Sequence, residues 1–156
     1  MATVLLATDG SDLALRAAAR ALDVLGHDHE FVTVAVVPPV FVATASVSPM
    51  ENHPMLVDPE LEAQLEGEQR AESAVDEDHL DRELGITSTH VVETGEPGPT
   101  ICSAAERVGA DLVVMGSHGH GWLQRVFLGS VSTHVLQHAP CPVMVVRRES
   151  EPEPED

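Results

Sequence analysis

The 156-residue chain has no lysine and no tyrosine, and each lack closes off chemistry. Without lysine there is nothing to reach the β- and γ-phosphates from a Walker-type loop. A Schiff base to pyridoxal phosphate and the strand lysine of a protein kinase are excluded for the same reason. Aromatic side chains are down to Phe31, Phe41, Phe127 and Trp122, too few for a stacking platform that holds single-stranded nucleic acid. Basic residues are scarce: eight arginines stand against 26 acidic residues, for a formal charge of -18. A surface of that sign repels a phosphate backbone, so neither DNA nor RNA is expected as a partner. The two cysteines, Cys102 and Cys141, lie far apart without metal-ligand spacing and read as buried, inert thiols. No apolar run approaches the roughly 20 residues that cross a bilayer. The start MATVLLATDG lacks the basic and long apolar regions of a signal peptide, so no membrane partner and a cytoplasmic location are expected. The acid-rich, lysine-free composition fits either a GC-rich genome or a cytoplasm at high salt.

What the chain does have is 43% hydrophobic residues, arranged as short apolar runs alternating with helical patterns. Thr3–Thr8 (TVLLAT) reads as a strand covered on both faces. Asp9-Gly10-Ser11-Asp12 reads as a turn with a cap, followed by a helix face of Ala14, Ala17, Ala18, Ala21, Leu22 and Leu25 that stops at Gly26. Phe31–Val37 is a second strand. Residues 38–59 hold five prolines and read as a long loop, and 60–84 as an acidic helix that Gly67 weakens. Further on come a strand at Thr87–Val92, a turn at Gly95–Gly98, and a helix bearing Ile101, Ala104, Ala105 and Val108 that ends at Gly109. A strand at Leu112–Met115, a helix at Ser130–His138 and a last strand at Pro142–Arg147 complete the order. Alternating strands and helices predict an α/β fold: a single-domain, doubly wound, five-stranded parallel sheet with helices on both faces, Rossmann-like. The predicted domain is 1–148, and 149–156 (acidic ESEPEPED after Arg148) is a solvated, disordered tail. A ligand in such a sheet sits at the carboxyl ends of the strands where their order reverses, between strands one and four.

The turn after strand four carries Gly116-x2-Gly119-x9-Gly129-Ser130. Glycines there let a backbone approach a ligand, and Gly129-Ser130 opens a helix whose first N–H groups suit a phosphate. The order GxxGxG is not a dinucleotide fingerprint. The segment VVMGSHGHGWLQRVFLGSVSTHVLQHAPCPVMVVRR resembles the carboxyl-terminal signature of the universal stress protein family, and VLLATDGSDLALRAAARAL resembles its first strand, acidic turn and helix. The resemblance covers residues 2–148 and implies an ATP-binding member that acts as a nucleotide-dependent stress-response regulator. It implies a homodimer paired through Pro142–Arg147, with an unknown protein partner. Carried over by position, Ala7, Thr8 and Asp9 would face the adenosine and Val36 would lie beside the adenine. Met115, Gly116, His118 and Gly119 would line ribose and phosphates, and Gly129, Ser130, Val131 and Ser132 would grip the phosphate chain. Mg²⁺ would bridge the phosphate oxygens.

The resemblance has one departure. Many relatives have Lys or Arg after Gly119, and here His120 stands there, which predicts weaker and more pH-sensitive phosphate binding. The pairs His118-x-His120 and His134-x3-His138 have zinc-like spacing but no third ligand, so no metal site is assigned to them. Asp9 with Asp12 suits a phosphoacceptor pocket, which the missing lysine rules out. Ser11, Ser130 and Ser132 lack a nucleophile elbow and read as caps and phosphate donors. No catalytic residue is assigned, so slow ATP turnover or none is expected. Two alternatives stand beside the main reading. One is a nucleotide-free dimeric interaction module. The other is a slow nucleotide hydrolase of the same fold group, disfavoured by the reduced first loop Thr8–Ser11. At low salt the net charge should slow encounter with an anionic nucleotide, and at molar salt the screening length of about 3 Å removes that penalty.

Overall fold

Thr3–Thr8, apolar on both faces, forms β1 and takes the central place in the sheet. The computed structural model describes residues 1–39, 63–65, 67–68, 78–117 and 128–147. After β1 come α1 (Asp12–Leu25) and β2 (Glu30–Val37), then α2, described over residues 78–84. β3 (Ser88–Thr94), α3 (Pro97–Val108), β4 (Leu112–Gly116), α4 (Ser130–His138) and β5 (Val143–Val146) complete the chain. The strands pair in the order β3-β2-β1-β4-β5, every neighbouring pair parallel. The doubly wound α/β sheet expected from the alternation is the fold observed.

Strand periodicity sorts the core into two layers. Val4 and Leu6 of β1, Phe31 of β2 and Val114 of β4 face Ala17, Ala18, Ala21 and Leu22 of α1 and Leu80 of α2. Their neighbours Leu5, Val32, Val34 and Val113 face the other way, onto Ile101, Ala104 and Ala105 of α3 and Val135 of α4. Ser11 caps α1, its Oγ accepting the Ala14 N–H at 3.2 Å, and Gly26 (φ 83°) ends it. α3 and α4 approach closely because residue 98 is glycine: a Cβ there would lie 2.8 Å from Cγ of His134. That ring stacks on His138, centroids 4.3 Å apart, and His138 Nδ1 donates to the His134 carbonyl at 2.9 Å. Among the described residues no three His, Cys, Asp or Glu gather as a metal site.

Several boundaries differ from expectation, each for a hydrogen-bonding reason. β3 runs to Thr94 and not Val92, because β2 supplies partners as far as Val37↔Thr94 and the Gly95 N–H donates to the Val37 carbonyl at 3.0 Å. The charge of Glu93 is met by Arg107 of α3. Pro97 and Gly98 belong to the first turn of α3 and not to the preceding turn, since proline suits a position where no N–H is needed. β5 excludes Pro142, although the Pro142 carbonyl still accepts the Val113 N–H at 3.0 Å. Gly67 is helical. The bulk of the expected 38–59 loop, much of the expected acidic helix and the 149–156 tail lie outside the described residues.

α2 is tied to the edge strand mainly by the carboxylate of Asp81, with Asp78 Oδ1 also 3.8 Å from His90 Nδ1. Asp81 Oδ2 accepts the Ser88 N–H at 2.8 Å, and its Oδ1 accepts the Ser88 hydroxyl at 2.7 Å. The His90 ring adds a contact at 3.1 Å. Burial alone would raise the Asp81 pKa, but the Ser88 N–H, the His90 ring and the Ser88 hydroxyl together hold it below the ordinary value. An unfolded chain therefore takes up this proton first as pH falls. The contribution to stability is complete above about pH 4 and is lost as pH drops through the lower folded value. Asp81→Asn should lower the urea midpoint at neutral pH and flatten its fall below about pH 4. Parallel pH profiles for variant and parent would refute this.

Candidate functional site

Register creates a crevice at the reversal of strand order. At the amino ends β1 and β4 are pinned together: Thr3 N–H donates to Asp111 Oδ2, and Asp111 N–H to the Thr3 carbonyl, both at 2.8 Å. Their ladder then runs Val4↔Leu112, Leu5↔Val113, Leu6↔Val114 and stops. Yet β1 continues to Thr8, following β2 as far as Thr8↔Ala35, and β4 continues to Gly116, following β5 to Gly116↔Val146. Each strand stays with its outer neighbour, so the two part after Leu6 and Val114. Such a parting at the carboxyl ends is where doubly wound sheets receive ligands.

The turn after β1 is built by its own polar groups. Gly10, at φ 74°, makes the bend, its N–H donating to Thr8 Oγ1 at 3.1 Å. The Ser11 N–H donates to Asp9 Oδ1, also at 3.1 Å, so the exposed Asp9 is held as a hydrogen-bonded turn at the mouth of the crevice. Thr8 and Gly10 line a depression with Ser11, Asp12, Leu15, His79 and Leu80 on the α1–α2 side. On the α3–α4 side of the sheet Met115 is buried in the core cluster, and Ala7, Val36 and Val131 are half-buried hydrophobics packed against that cluster.

The turn after β4 is held at its base. Ser117 N–H donates to the Val146 carbonyl at 2.9 Å, and the Ser117 carbonyl accepts the Gly129 N–H at 2.8 Å. α4 then starts at Ser130, with Gly129 as its N-cap and no side-chain cap among the described residues. Its first regular bond is Thr133 N–H to the Gly129 carbonyl, 2.9 Å. The positive end of the helix dipole thus opens near Met115 and Gly116. Away from the crevice, Cys102 and Cys141 are half-buried and burial pushes both thiols up, with Asp111 and Cys102 adding to the effect at Cys141. Both are protonated near neutrality and poor nucleophiles.

Compared with known proteins, residues 1–147 match the model of the universal stress protein family. The chain belongs to the universal stress protein family. This universal stress protein is 34% identical over 146 residues to universal stress protein MJ0531 of Methanocaldococcus jannaschii, covering 93% of this chain and 81% of that one. It is 40% identical over 74 residues to a universal stress protein A-like protein of Arabidopsis thaliana, and that match spans 42% of the relative's length. Among solved structures, MJ0577 of Methanocaldococcus jannaschii superposes with a TM-score of 0.77 at 24% identity, covering 96% of this chain and 98% of that one. A universal stress protein in complex with cAMP gives 0.57 at 24% identity, covering 93% and 95%. An Arabidopsis thaliana family member with AMP bound gives 0.58 at 22%, covering 100% and 98%. At these identities the structural likeness establishes the fold.

Of the residues the sequence singled out, Met115 belongs to the core cluster beneath α3 and α4, Ala7, Val36 and Val131 are half-buried against that cluster, and Asp9 is exposed in the turn after β1. Gly129 and Ser130 begin α4 as expected. Thr8 is tied to the Gly10 N–H. Gly116 faces Leu13 of α1, whose Cγ would lie 2.9 Å from an added Cβ, so a side chain there would force Leu13 or its helix to shift. Ser132 is buried, its hydroxyl on two backbone carbonyls. His118, Gly119 and His120 lie outside the described residues. Sequence reasoning missed Leu13 and Ser117. A serine directly after a buried strand, inside a run of glycines, was the available signal for the second.

Proposed function

We propose that this universal stress protein binds ATP at the carboxyl ends of β1 and β4 and acts as a nucleotide-dependent stress-response regulator in the cytoplasm. The observation that carries the reading is the parting of β1 from β4 after Leu6 and Val114, with the start of α4 tied to the end of β4 through the Gly129 N–H and the Ser117 carbonyl. For the adenine the reading takes Val36 with Ala7 and Val131, half-buried hydrophobics on the α3–α4 side of the sheet. Asp9 at the mouth is an acceptor for ribose hydroxyls. The N–H groups of Ser130 and Val131 and the Ser130 hydroxyl suit the phosphates, with His118 and Gly119 joining them. The donors fit an anion, and Mg²⁺ would arrive on the triphosphate, held by its oxygens. Bound there, the ion supplies charge neutralisation in a strongly acidic protein.

The reading takes residues 1–148 as the nucleotide-binding unit, paired as a homodimer through the last strand. In its support β5 is an edge strand, and exposed edges invite pairing. Adenine nucleotide in two proteins of this fold, AMP and cAMP, is consistent with a site for the adenosine half. Mass spectrometry of gently purified protein should find adenine nucleotide, and competition should rank ATP ahead of AMP and cAMP. An equal ranking of the three would remove the role given to α4 in holding the phosphate chain.

A further inference from the structure

Two of the three buried polar side chains among the described residues, Ser117 and Ser132, lie at the base of the segment that joins β4 to α4. Ser132 is 2% exposed, and its Oγ is 3.0 Å from both the Ser117 and the Gly129 carbonyl oxygens. The Ser117 carbonyl also accepts the Gly129 N–H at 2.8 Å. A serine hydroxyl has one proton and a carbonyl oxygen two lone pairs. The proton of Ser132 is taken up between two carbonyls, and the Ser117 oxygen is filled by the Gly129 N–H and that same proton. What remains on Ser132 Oγ is lone pairs, which repel a phosphate oxygen.

We propose that Ser132 is a positioning residue and not a phosphate ligand. Its hydroxyl latches Ser117 to Gly129 and so fixes where the first N–H groups of α4 meet a phosphate. Because the Ser117 N–H is itself bonded to the Val146 carbonyl, the latch is anchored on β5. The inference rests on the proposed nucleotide site, but the latch exists without ligand and can be judged in the nucleotide-free protein.

The test is amide hydrogen exchange at Gly129 in nucleotide-free wild type, Ser132→Ala and Ser132→Thr, with calorimetric titration of each by AMP and by adenosine. Ser132→Ala should speed Gly129 exchange about five- to tenfold, the equivalent of one buried hydrogen bond. AMP affinity should fall by a similar factor and adenosine affinity stay unchanged, since adenosine has no phosphate to misplace. Ser132→Thr, which keeps the hydroxyl, should restore both. If Ser132→Ala does not fold, Ser132→Cys, of similar size with a weak S–H donor, takes its place. Unchanged Gly129 exchange overturns the latch, and if it accompanies weaker AMP binding it returns Ser132 to the role of direct ligand. Equal losses for AMP and adenosine overturn it as well. A wild type that binds neither compound, nor Mg·ATP, sinks the nucleotide reading, while Gly129 exchange still decides the latch.

Discussion

Gly116→Val is expected to lower the unfolding free energy by about 1–3 kcal/mol, the usual cost of forcing extra carbon into a packed site. The cause is collision. Gly116 is not among the residues with positive φ, so a side chain can take its backbone conformation. Its Cβ, however, would lie 2.9 Å from Leu13 Cγ, 3.2 Å from Cδ2 and 3.5 Å from the Leu13 carbonyl carbon. Leu13 is only 7% exposed and sits in the first turn of α1, so it cannot simply swing away. Either α1 lifts from β4 or β4 shifts toward β5, and both movements reshape the crevice. The collision has a partner-specific signature. Leu13→Ala opens space, so the double variant should be more stable than the sum of the two single losses predicts, with a coupling of about 0.5–3 kcal/mol. Urea denaturation of the four proteins measures it, and strict additivity would show that Gly116 is needed for some other reason.

Leu5→Ala should be the most damaging single truncation, at about 2–5 kcal/mol. Leu5 is fully buried in the central strand, opposite Val32 of β2 and Val113 of β4, and packs with Ile101, Ala104 and Val135 beneath α3 and α4. Five elements meet at that side chain, so collapse around the cavity is restricted from every side. A domain of ordinary stability has about 5–15 kcal/mol in all, so the loss should be visible as a large fall in the denaturation midpoint. Leu136→Ala is the control. Its side chain is 43% exposed on α4, and the same chemical change there should shift stability by about 0.5 kcal/mol or less. Similar losses at both positions would contradict the two-layer core.

The elements legible in the sequence are those whose burial is set by local pattern. Thr3–Thr8 is apolar at every inward position and Ser130–His138 follows a glycine break, so both were read at their observed limits, while α1 was read to its glycine stop but begins at Asp12, which the sequence pattern places in the turn. Glu93 and Thr94 were not read as strand because they are polar. They remain in β3 through long-range partners, β2 beside them and Arg107 on α3. The crevice was legible as a place, from the alternation of strands and helices. The parting after Leu6 and Val114 was not, because register belongs to three strands at once. Gly116 and Ser132 show the same limit from the side of the site. The family resemblance marked both as ligand contacts, whereas their surroundings add a packing constraint at Gly116 and a backbone latch at Ser132, which only the approach of α1 and of Ser117 creates.

Calorimetric titration with Mg·ATP from low to molar salt, paired with thermal unfolding, tests the central claim most directly. An anion site between β1 and β4 in a chain of formal charge -18 should give saturable heat, tighter as salt screens the like-charge repulsion. At a nucleotide concentration near 100 times the dissociation constant, binding adds about 2.7 kcal/mol and should raise the melting temperature by roughly 5–10 °C. No heat and no thermal upshift at any salt concentration would contradict the account and leave the crevice without a nucleotide.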